Sequence, residues 1–453
     1  MSIAFVNPPL DQYRKIMRNF DCATESKANY LYQPYDFLLM SARVPADCPF
    51  ELFDAIAARW STEETLKKIL SFNPQIIVLA MANTSWDEDF LFLKTLQKKL
   101  SDTKILVFGD LFFEAYFKEQ VKPYVDSILA NPVFINFSEL LQNRGDWQEA
   151  PPLLPLKKPH QFELGLPKHD KFIHSQYRWP FARHYKYTTV FTAWGCPYSC
   201  DYCIMSQFPN YWREANDILL ELDTIKTLGF KEIYIGDRSF GLPYQNILTL
   251  LDGMIERNYQ FSWSTYFHPN QYTPELLEKM KMSGCHTLII GIESHDLLLL
   301  KKHGRHVTAN NLEKLISHAE HLGIDVCGDF IIGLPGESKA SILETINYAK
   351  QLKLDYASFN IAAPLPGTSI RKAAIENGSF SNSESSHYDS LGKHHVIGND
   401  LLSSVEIQKL KKQAIRQFYL SPSFLIRRIK KLRGIQHFII QASEGLKLLV
   451  KQS

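Results

Sequence analysis

Apolar positions along the chain fall into two series of strand-length runs, each run followed by a stretch with helical spacing. In the first series Ile3–Val6 is an apolar run stopped by Pro8 and Pro9, and Phe50–Phe53 is another. Ser61 and Glu64 make a capping box in front of the amphipathic stretch TEETLKKILSF, which leads directly into the run QIIVLAMA over 75–82. A helix over Glu88–Leu100, the run KILVFG over 104–109 and a weaker unit ending in SILA complete the series. Parallel neighbours need a crossover, so runs separated by helical stretches of about 10 to 15 residues predict parallel pairing. The expected fold class is therefore α/β, opening with a doubly wound, Rossmann-like parallel sheet over residues 1–142.

From 143 to 183 the pattern breaks into PPLLPLKKPH and scattered aromatics, with too many prolines for regular structure, and reads as a linker that wraps. A second alternating series begins at Tyr187 with TTVFTAW and continues through KEIYIG, FSWSTYF, HTLIIGIES, DVCGDFIIG and YASFNIA. Six strand units fall short of the eight that close a standard barrel, so residues 184–378 are expected to form a partial (β/α)6 TIM-like barrel. Residues 379–399 are polar, and the helical remainder to 453 carries a basic patch at Arg427, Arg428, Lys430, Lys431 and Arg433.

The chain has 453 residues, 45% hydrophobic and 22% charged, which suits a globular protein with a large core. Its formal charge of +2 provides no overall field to draw it to nucleic acid, and the basic patch is the one place suited to peripheral contact with a membrane. No apolar run approaches the ~18 residues of a membrane span, and prolines and an Asp interrupt the amino end where a signal peptide needs an apolar region, so the expected location is cytoplasmic. Seven cysteines, an odd number in such a chain, favour metal or thiol chemistry over a disulfide framework.

The informative segment is FTAWGCPYSCDYCIM, which follows the first strand of the second series and spaces Cys196, Cys200 and Cys203 as C-x3-C-x2-C. Loops at the carboxyl ends of parallel strands are where ligands bind, both in barrels and in open sheets. Three thiols so close together point to one metal centre rather than to packing. Structural zinc commonly takes two pairs of ligands, and no fourth Cys or His stands at that spacing; zinc or a plain electron-transfer cluster is the simpler alternative. A 4Fe-4S cluster on three cysteines leaves one iron free for a further ligand.

This loop resembles the cluster loop of radical S-adenosylmethionine enzymes, and further segments resemble the same family in chain order. Tyr202 stands where the family often places an aromatic near adenine. IGDRSF offers Asp237 for the methionine amino group, with Arg238 where many relatives carry another acid. GIES offers Glu293 and Ser294 for the ribose hydroxyls and carboxylate. Gly333 to Glu337 read Gly-Leu-Pro-Gly-Glu, a turn whose backbone at Gly333, Pro335 and Gly336 would approach adenine where a Cβ would obstruct it. IAAPLPGT, 361–368, resembles the family's Pro-Gly-Thr loop. The resemblance implies a 4Fe-4S cluster on Cys196, Cys200 and Cys203, S-adenosyl-L-methionine on its open iron, and one-electron cleavage to a 5′-deoxyadenosyl radical. It also implies an electron donor such as flavodoxin or ferredoxin.

The first series, with VNPP, ELFDAIAARWS and FNPQIIVLAMA, resembles the cobalamin-binding domain fused to one large class of these enzymes, and FYLSPSFLIRRIKKL resembles the carboxyl-terminal part of that class. The Asp-x-His-x-x-Gly motif is absent, GDLFFEAY stands at 109–116 in place of a Gly-Gly-Pro-His turn, and ILANPVFINF replaces a Gly-Glu-Gly-Glu loop. Leu111, Phe112 and Phe113 would fill space that a corrin or its tail needs, so cobalamin binding and a degenerate, structural domain both stay open.

FHPN places His268 and Asn270 where relatives often carry an Arg, exchanging a permanent cation for a titratable ring. His268 and Cys327 are the candidate catalytic groups, although Cys285 and Cys327 also read as small buried apolar groups. The histidines of HTLIIGIESHDLLLLKKHGRH and GKHHV read as surface groups, and Arg213 either lies near the cluster loop or on the surface. The expected function is hydrogen abstraction from an unactivated carbon of a small-molecule or lipid-like metabolite, with or without cobalamin-dependent methyl transfer or rearrangement. Alternatives are a cobalamin-independent radical dehydratase, deoxygenase or cyclase, and a non-catalytic cluster-binding scaffold.

Overall fold

The computed structural model describes residues 2–11, 14–18, 30–142, 156, 160–380 and 396–431. Contacts divide the chain into two compact units. The first comprises Met1–Trp179, Asn216–Phe230 and Leu365–His387, and the second comprises Pro180–Ala215, Lys231–Pro364 and Tyr388–Ser453. Two stretches of the first unit thus come from within or just beyond the residues expected to build the barrel.

The first unit is built on β1 (Ile3–Asn7), β2 (Phe50–Asp54), β3 (Ile76–Ala80), β4 (Lys104–Phe108) and β5 (Ser127–Ile128), ordered β2-β1-β3-β4-β5 and parallel throughout. This is the doubly wound sheet read from the sequence. Every residue of β1 and β3 is buried, as expected of strands covered on both faces. The capping box at Ser61 and Glu64 forms and opens the helix Thr62–Phe72. The pattern of apolar runs missed the helix Tyr35–Ser41, because all seven of its residues are buried and no polar face betrays a period. Phe37 from that helix stacks on Phe5 of β1 at 5.3 Å and meets Phe108 of β4 edge-on at 5.1 Å. The proline-rich stretch lies almost wholly outside the described residues; after it, Tyr177 donates to Asp54 at 2.7 Å and Lys168 to the Val44 carbonyl at 2.7 Å.

The second unit contains β6 (Tyr187–Val190), a short antiparallel pair β7 (Ala193–Trp194) and β8 (Tyr211–Trp212), then β9 (Glu232–Phe240), β10 (Ser262–Phe267), β11 (Cys285–Glu293), β12 (Asp325–Ile332) and β13 (Tyr356–Ile361). The six parallel strands run β13-β12-β11-β10-β9-β6, each beside its neighbour in sequence, which is the walk of a partial barrel. The pair β7–β8 was not foreseen, since two-residue strands carry no periodicity.

β13 ends the sheet, and the helix Ser404–Tyr419 covers it. Tyr419 donates its hydroxyl to the Ala357 carbonyl at 2.7 Å and accepts from the Ala357 amide at 3.2 Å, so one phenol satisfies both groups of that edge residue. The basic patch is engaged in the same way. Arg427 donates to the Leu354 carbonyl, Arg428 to Tyr356 while lying over its ring, and Lys431 to Asp325 and Asp355. These three cations brace the last two strands, and Arg433 lies outside the described residues. Tyr419→Phe is expected to destabilise the protein by about 1–3 kcal/mol, because it leaves two edge groups without their partner; the midpoint of denaturant unfolding measures it.

Candidate S-adenosylmethionine and cluster site

The carboxyl ends of the second sheet carry the cysteine loop. β6 runs out at Val190, and Thr192 and Ala193 turn into a loop that β7 and β8 close at its base. Gly195 has φ +89°, and a Cβ there would lie 2.1 Å from the Pro209 carbonyl, so this first step of the loop admits only glycine. The Cys196 amide reaches the Phe208 carbonyl at 3.4 Å, and the Cys203 amide reaches the Cys200 carbonyl at 3.1 Å.

Asp237 near the end of β9 fixes where this loop begins. It is 1% exposed; one carboxylate oxygen accepts from the Thr192 amide at 2.7 Å and the Ala193 amide at 3.2 Å, and the other from the Thr192 hydroxyl. Burial raises its carboxyl to about 6 against these hydrogen bonds. Its described partners are therefore protein groups at the root of the loop. Arg213 is fully buried just past β8, donating its amide to the Thr192 carbonyl and its guanidinium to the Phe191 carbonyl, both at 2.9 Å; it is not a surface residue.

The three thiols lie within electrostatic reach of one another. Burial pushes Cys203 up to about 12, with Cys196 and Cys200 adding to the rise, and burial also raises Cys196. Thiols so placed hold their protons until a metal displaces them. Among the described residues no three of His, Cys, Asp and Glu close on a point that one ion would fill.

Arg305, which the sequence reading passed over, is the cation of this site. Its Nη1 lies 4.0 Å from the Cys200 sulfur, its Nε 4.0 Å from a Glu293 oxygen, and its Nη2 donates to the Gly291 carbonyl. Glu293 ends β11 at φ +64°, a left-handed conformation that a glutamate holds only under constraint. Burial pushes its carboxyl up to about 7 although Arg305 opposes the rise. Tyr202 is buried beside this pair, with its ring edge-on to His303 at 6.4 Å.

His268 follows β10 and lies face to face with Tyr198 of the cysteine loop, the ring centroids 4.0 Å apart. Its Nδ1 accepts from the Asn270 amide at 3.2 Å, so the neutral ring carries its proton on Nε2. Burial and the nearby Arg305 lower it to about 3, and this ring is a neutral donor, not the titratable cation substitute that the sequence suggested. Nε2 of His268 and Nε of Arg305 are both buried without a hydrogen bond. Such orphaned atoms beside the cysteine loop suit a polar ligand there.

The turn Gly333–Glu337 closes on itself, with the Glu337 carboxylate accepting from the Gly333 and Leu334 amides. Asn399 donates to the Leu334 carbonyl at 2.9 Å and the Glu337 carbonyl at 2.8 Å. Gly333 meets a constraint from the fold itself. Its φ is +89°, and a Cβ would come within 2.8 Å of Ile407 on the covering helix, whereas Gly336 has room. Ser294 is turned inward to Thr345 at 3.1 Å. Cys327 is the third residue of β12, next to Tyr419 and about 16 Å of strand from the carboxyl end, so the fold does not bring it to the loop.

In the first unit the corresponding place is the switch point between β1 and β3. Arg18 fills it: its guanidinium donates to Asn7 and the Pro8 carbonyl at 2.7 Å and pairs with Asp89 at 2.7 Å, and Asp89 also accepts from Ser85 at 2.6 Å. Leu111 and Phe112 join the core, and Gly109 approaches so closely that a Cβ would lie 1.8 Å from the Met81 carbonyl. A Cβ on Gly367 would likewise lie 2.8 Å from the Phe113 side chain. The buried Asn83 Oδ1 is one acceptor left over here. Arg18 and the residues after β4 thus line the switch point among the described residues, and Asn83 Oδ1 is an acceptor that a polar ligand there could use.

Asp237→Ala is expected to lower the iron retained after anaerobic reconstitution although all three cysteines are present, since the root of the loop is then untied; iron assay per chain, beside wild type, measures it.

Residues 192–349 match the family described as Radical SAM superfamily. An uncharacterized methyltransferase of Pyrococcus horikoshii is 27% identical over 435 residues, covering 91% of this chain and 93% of its own. The radical S-adenosylmethionine methyltransferase TsrM from Kitasatospora setae, solved with tryptophan and a SAM analogue, superposes with TM-score 0.64 at 15% identity, over 93% of this chain and 90% of its own. The cobalamin-dependent S-adenosylmethionine radical enzyme OxsB, solved with aqua-cobalamin, superposes with TM-score 0.63 at 14% identity, over 99% of this chain and 72% of its own. The match over 192–349 takes in the cysteine loop and the strands that follow it, so this part of the chain is similar to the Radical SAM superfamily, and the fold is shared with those two solved enzymes.

Proposed function

We propose that the protein reductively cleaves S-adenosylmethionine at a 4Fe-4S cluster held by Cys196, Cys200 and Cys203 and abstracts hydrogen from an unactivated carbon of a small-molecule or lipid-like substrate. The observation that carries this reading is the buried Arg305, within 4.0 Å of both the Cys200 sulfur and Glu293. When bound, the cluster supplies one electron and an iron open to the amino and carboxylate groups of the methionine moiety.

Arg305 offers that carboxylate a cation beside the cluster loop, and its unbonded Nε is the donor for it. Glu293 is suited to accept from ribose hydroxyls. The turn containing Gly333, Pro335 and Gly336 offers its backbone edge to adenine, with Tyr202 as the apolar wall. Asp237 and Ser294 act by holding this frame. His268 presents a neutral N–H beside Tyr198, suited to an uncharged acceptor on the substrate and unsuited to taking a proton. An external electron donor such as flavodoxin or ferredoxin supplies the reductant.

Protein reconstituted anaerobically is expected to carry about four irons per chain and to form 5′-deoxyadenosine on reduction with S-adenosylmethionine present, and Cys200→Ala to lose both. A fully loaded wild-type cluster that forms no 5′-deoxyadenosine overturns the assignment; it would leave a scaffold that binds the cluster without using it.

Methyl transfer through cobalamin is the second reading, and the printed name of the Pyrococcus relative and those of the two solved enzymes support it. It requires the switch point occupied by Arg18 to open. Cluster-loaded protein incubated anaerobically with hydroxocobalamin and then desalted separates the two readings: one retained corrin per chain supports methyl transfer, and none supports a cobalamin-independent radical reaction.

A further inference from the structure

His303 lies in HGRH, after the short helix Leu297–Lys302, and the sequence marks it only as one histidine among several. The structure puts it between two parts of the site. Its Nδ1 is 3.0 Å from both carboxylate oxygens of Asp201, the residue between Cys200 and Tyr202, and its Nε2 is 3.0 Å from the Pro335 carbonyl in the turn Gly333–Glu337. Neither a carboxylate nor a carbonyl can donate, so both ring nitrogens must carry protons. The ring is an imidazolium, and its charge is matched by Asp201.

The backbone supports the same bridge. The Asp201 amide donates to the His303 carbonyl at 3.2 Å, and Gly304 follows so close to the loop that a Cβ would lie 2.5 Å from the Ser199 carbonyl. His303 is 6% exposed, while the Asp201 side chain keeps some access to solvent. The turn is held from its other side by Asn399, which does not touch the cysteine loop in any described contact.

We propose that His303 is a positioning residue that locks the cysteine loop to the Gly333–Glu337 turn, fixing the distance between the cluster and the nucleoside end of S-adenosylmethionine. The inference rests on the reading of that turn as the adenine edge. One molecule of S-adenosylmethionine must span both places, so a loose bridge costs binding at both ends together. Sequence spacing hides the link, because Asp201, His303 and Pro335 are joined only by the fold.

The test is a double-mutant cycle on cluster-loaded protein with S-adenosylmethionine as the probe, reading KM and kcat for 5′-deoxyadenosine formation and the electron paramagnetic resonance signal of the reduced cluster with and without the probe. His303→Ala and Asp201→Ala are each expected to raise KM about tenfold, with a smaller change in kcat, and the double variant to be no worse than either alone. Asp201→Asn keeps an acceptor for Nδ1 and is expected to shift KM by less than about threefold. Asn399→Ala loosens the turn alone and is expected to raise KM while leaving the cluster signal without the probe as in wild type.

Independent, multiplying effects of His303→Ala and Asp201→Ala, or a KM within about twofold of wild type in both, overturn the proposal. Should His303→Ala fail to load iron, Asp201→Ala and Asp201→Asn decide it by the same criterion. Wild-type protein that forms no 5′-deoxyadenosine brings down the functional reading itself, whereas a working wild type with insensitive variants brings down only the bridge.

Discussion

The site depends on the tie between Asp237 and the root of the cysteine loop. A loop that carries three thiols gains nothing from its own packing, since burial raises Cys196 and Cys203 and the neighbouring thiols add to the rise. It is held in place by backbone groups at its two ends. One buried carboxylate, aimed from the neighbouring strand, accepts from the Thr192 and Ala193 amides and from the Thr192 hydroxyl. An unmet amide in that position would cost about 1–3 kcal/mol, so the carboxylate both pins the loop and relieves the strand end of unsatisfied groups. Arg213, reaching back to Phe191 and Thr192, closes the other end.

Charge inside the mouth is arranged with the same economy. The guanidinium of Arg305 is buried, which is costly for an isolated cation, yet its Nε stands 4.0 Å from Glu293, longer than a hydrogen bond to oxygen. A pair that stands off in this way is not neutralised as tightly as the geometry of the side chains would allow. Arg18 and Asp89 in the first unit show the opposite case, with contacts of 2.7 and 3.0 Å that use the ends of both groups. The difference separates a pair that still has bonding capacity for a ligand from one that has consumed it.

Much of the fold was legible because parallel strands buried on both faces read as apolar runs, and both sheets followed from such runs. The helix Tyr35–Ser41 escaped for the same reason turned around: with no exposed face it has no period. The cysteines were legible because their chemistry lies in their local spacing. Asp237, Glu293 and the Gly333 turn were found by resemblance, but the work that each does was not. Asp237 faces backbone amides, and Gly333 makes room for Ile407 of a helix more than seventy residues later. Arg305, His303 and Asn399 were invisible, since each acts through partners that only the fold brings near.

The first sheet shows how far likeness of fold carries an argument about function. Its strand order creates a switch point whether or not a ligand uses it, because the order follows from covering a parallel sheet with helices on both faces. An empty crevice between β1 and β3 would leave Asn7, Ser85 and Asp89 facing water or each other. Arg18 supplies the missing donors from the chain itself. A ligand that takes the place of the Arg18 guanidinium must displace it, and that displacement leaves Asp89 buried without its cation. The cost of such a displacement is thus set by Asp89 more than by Arg18.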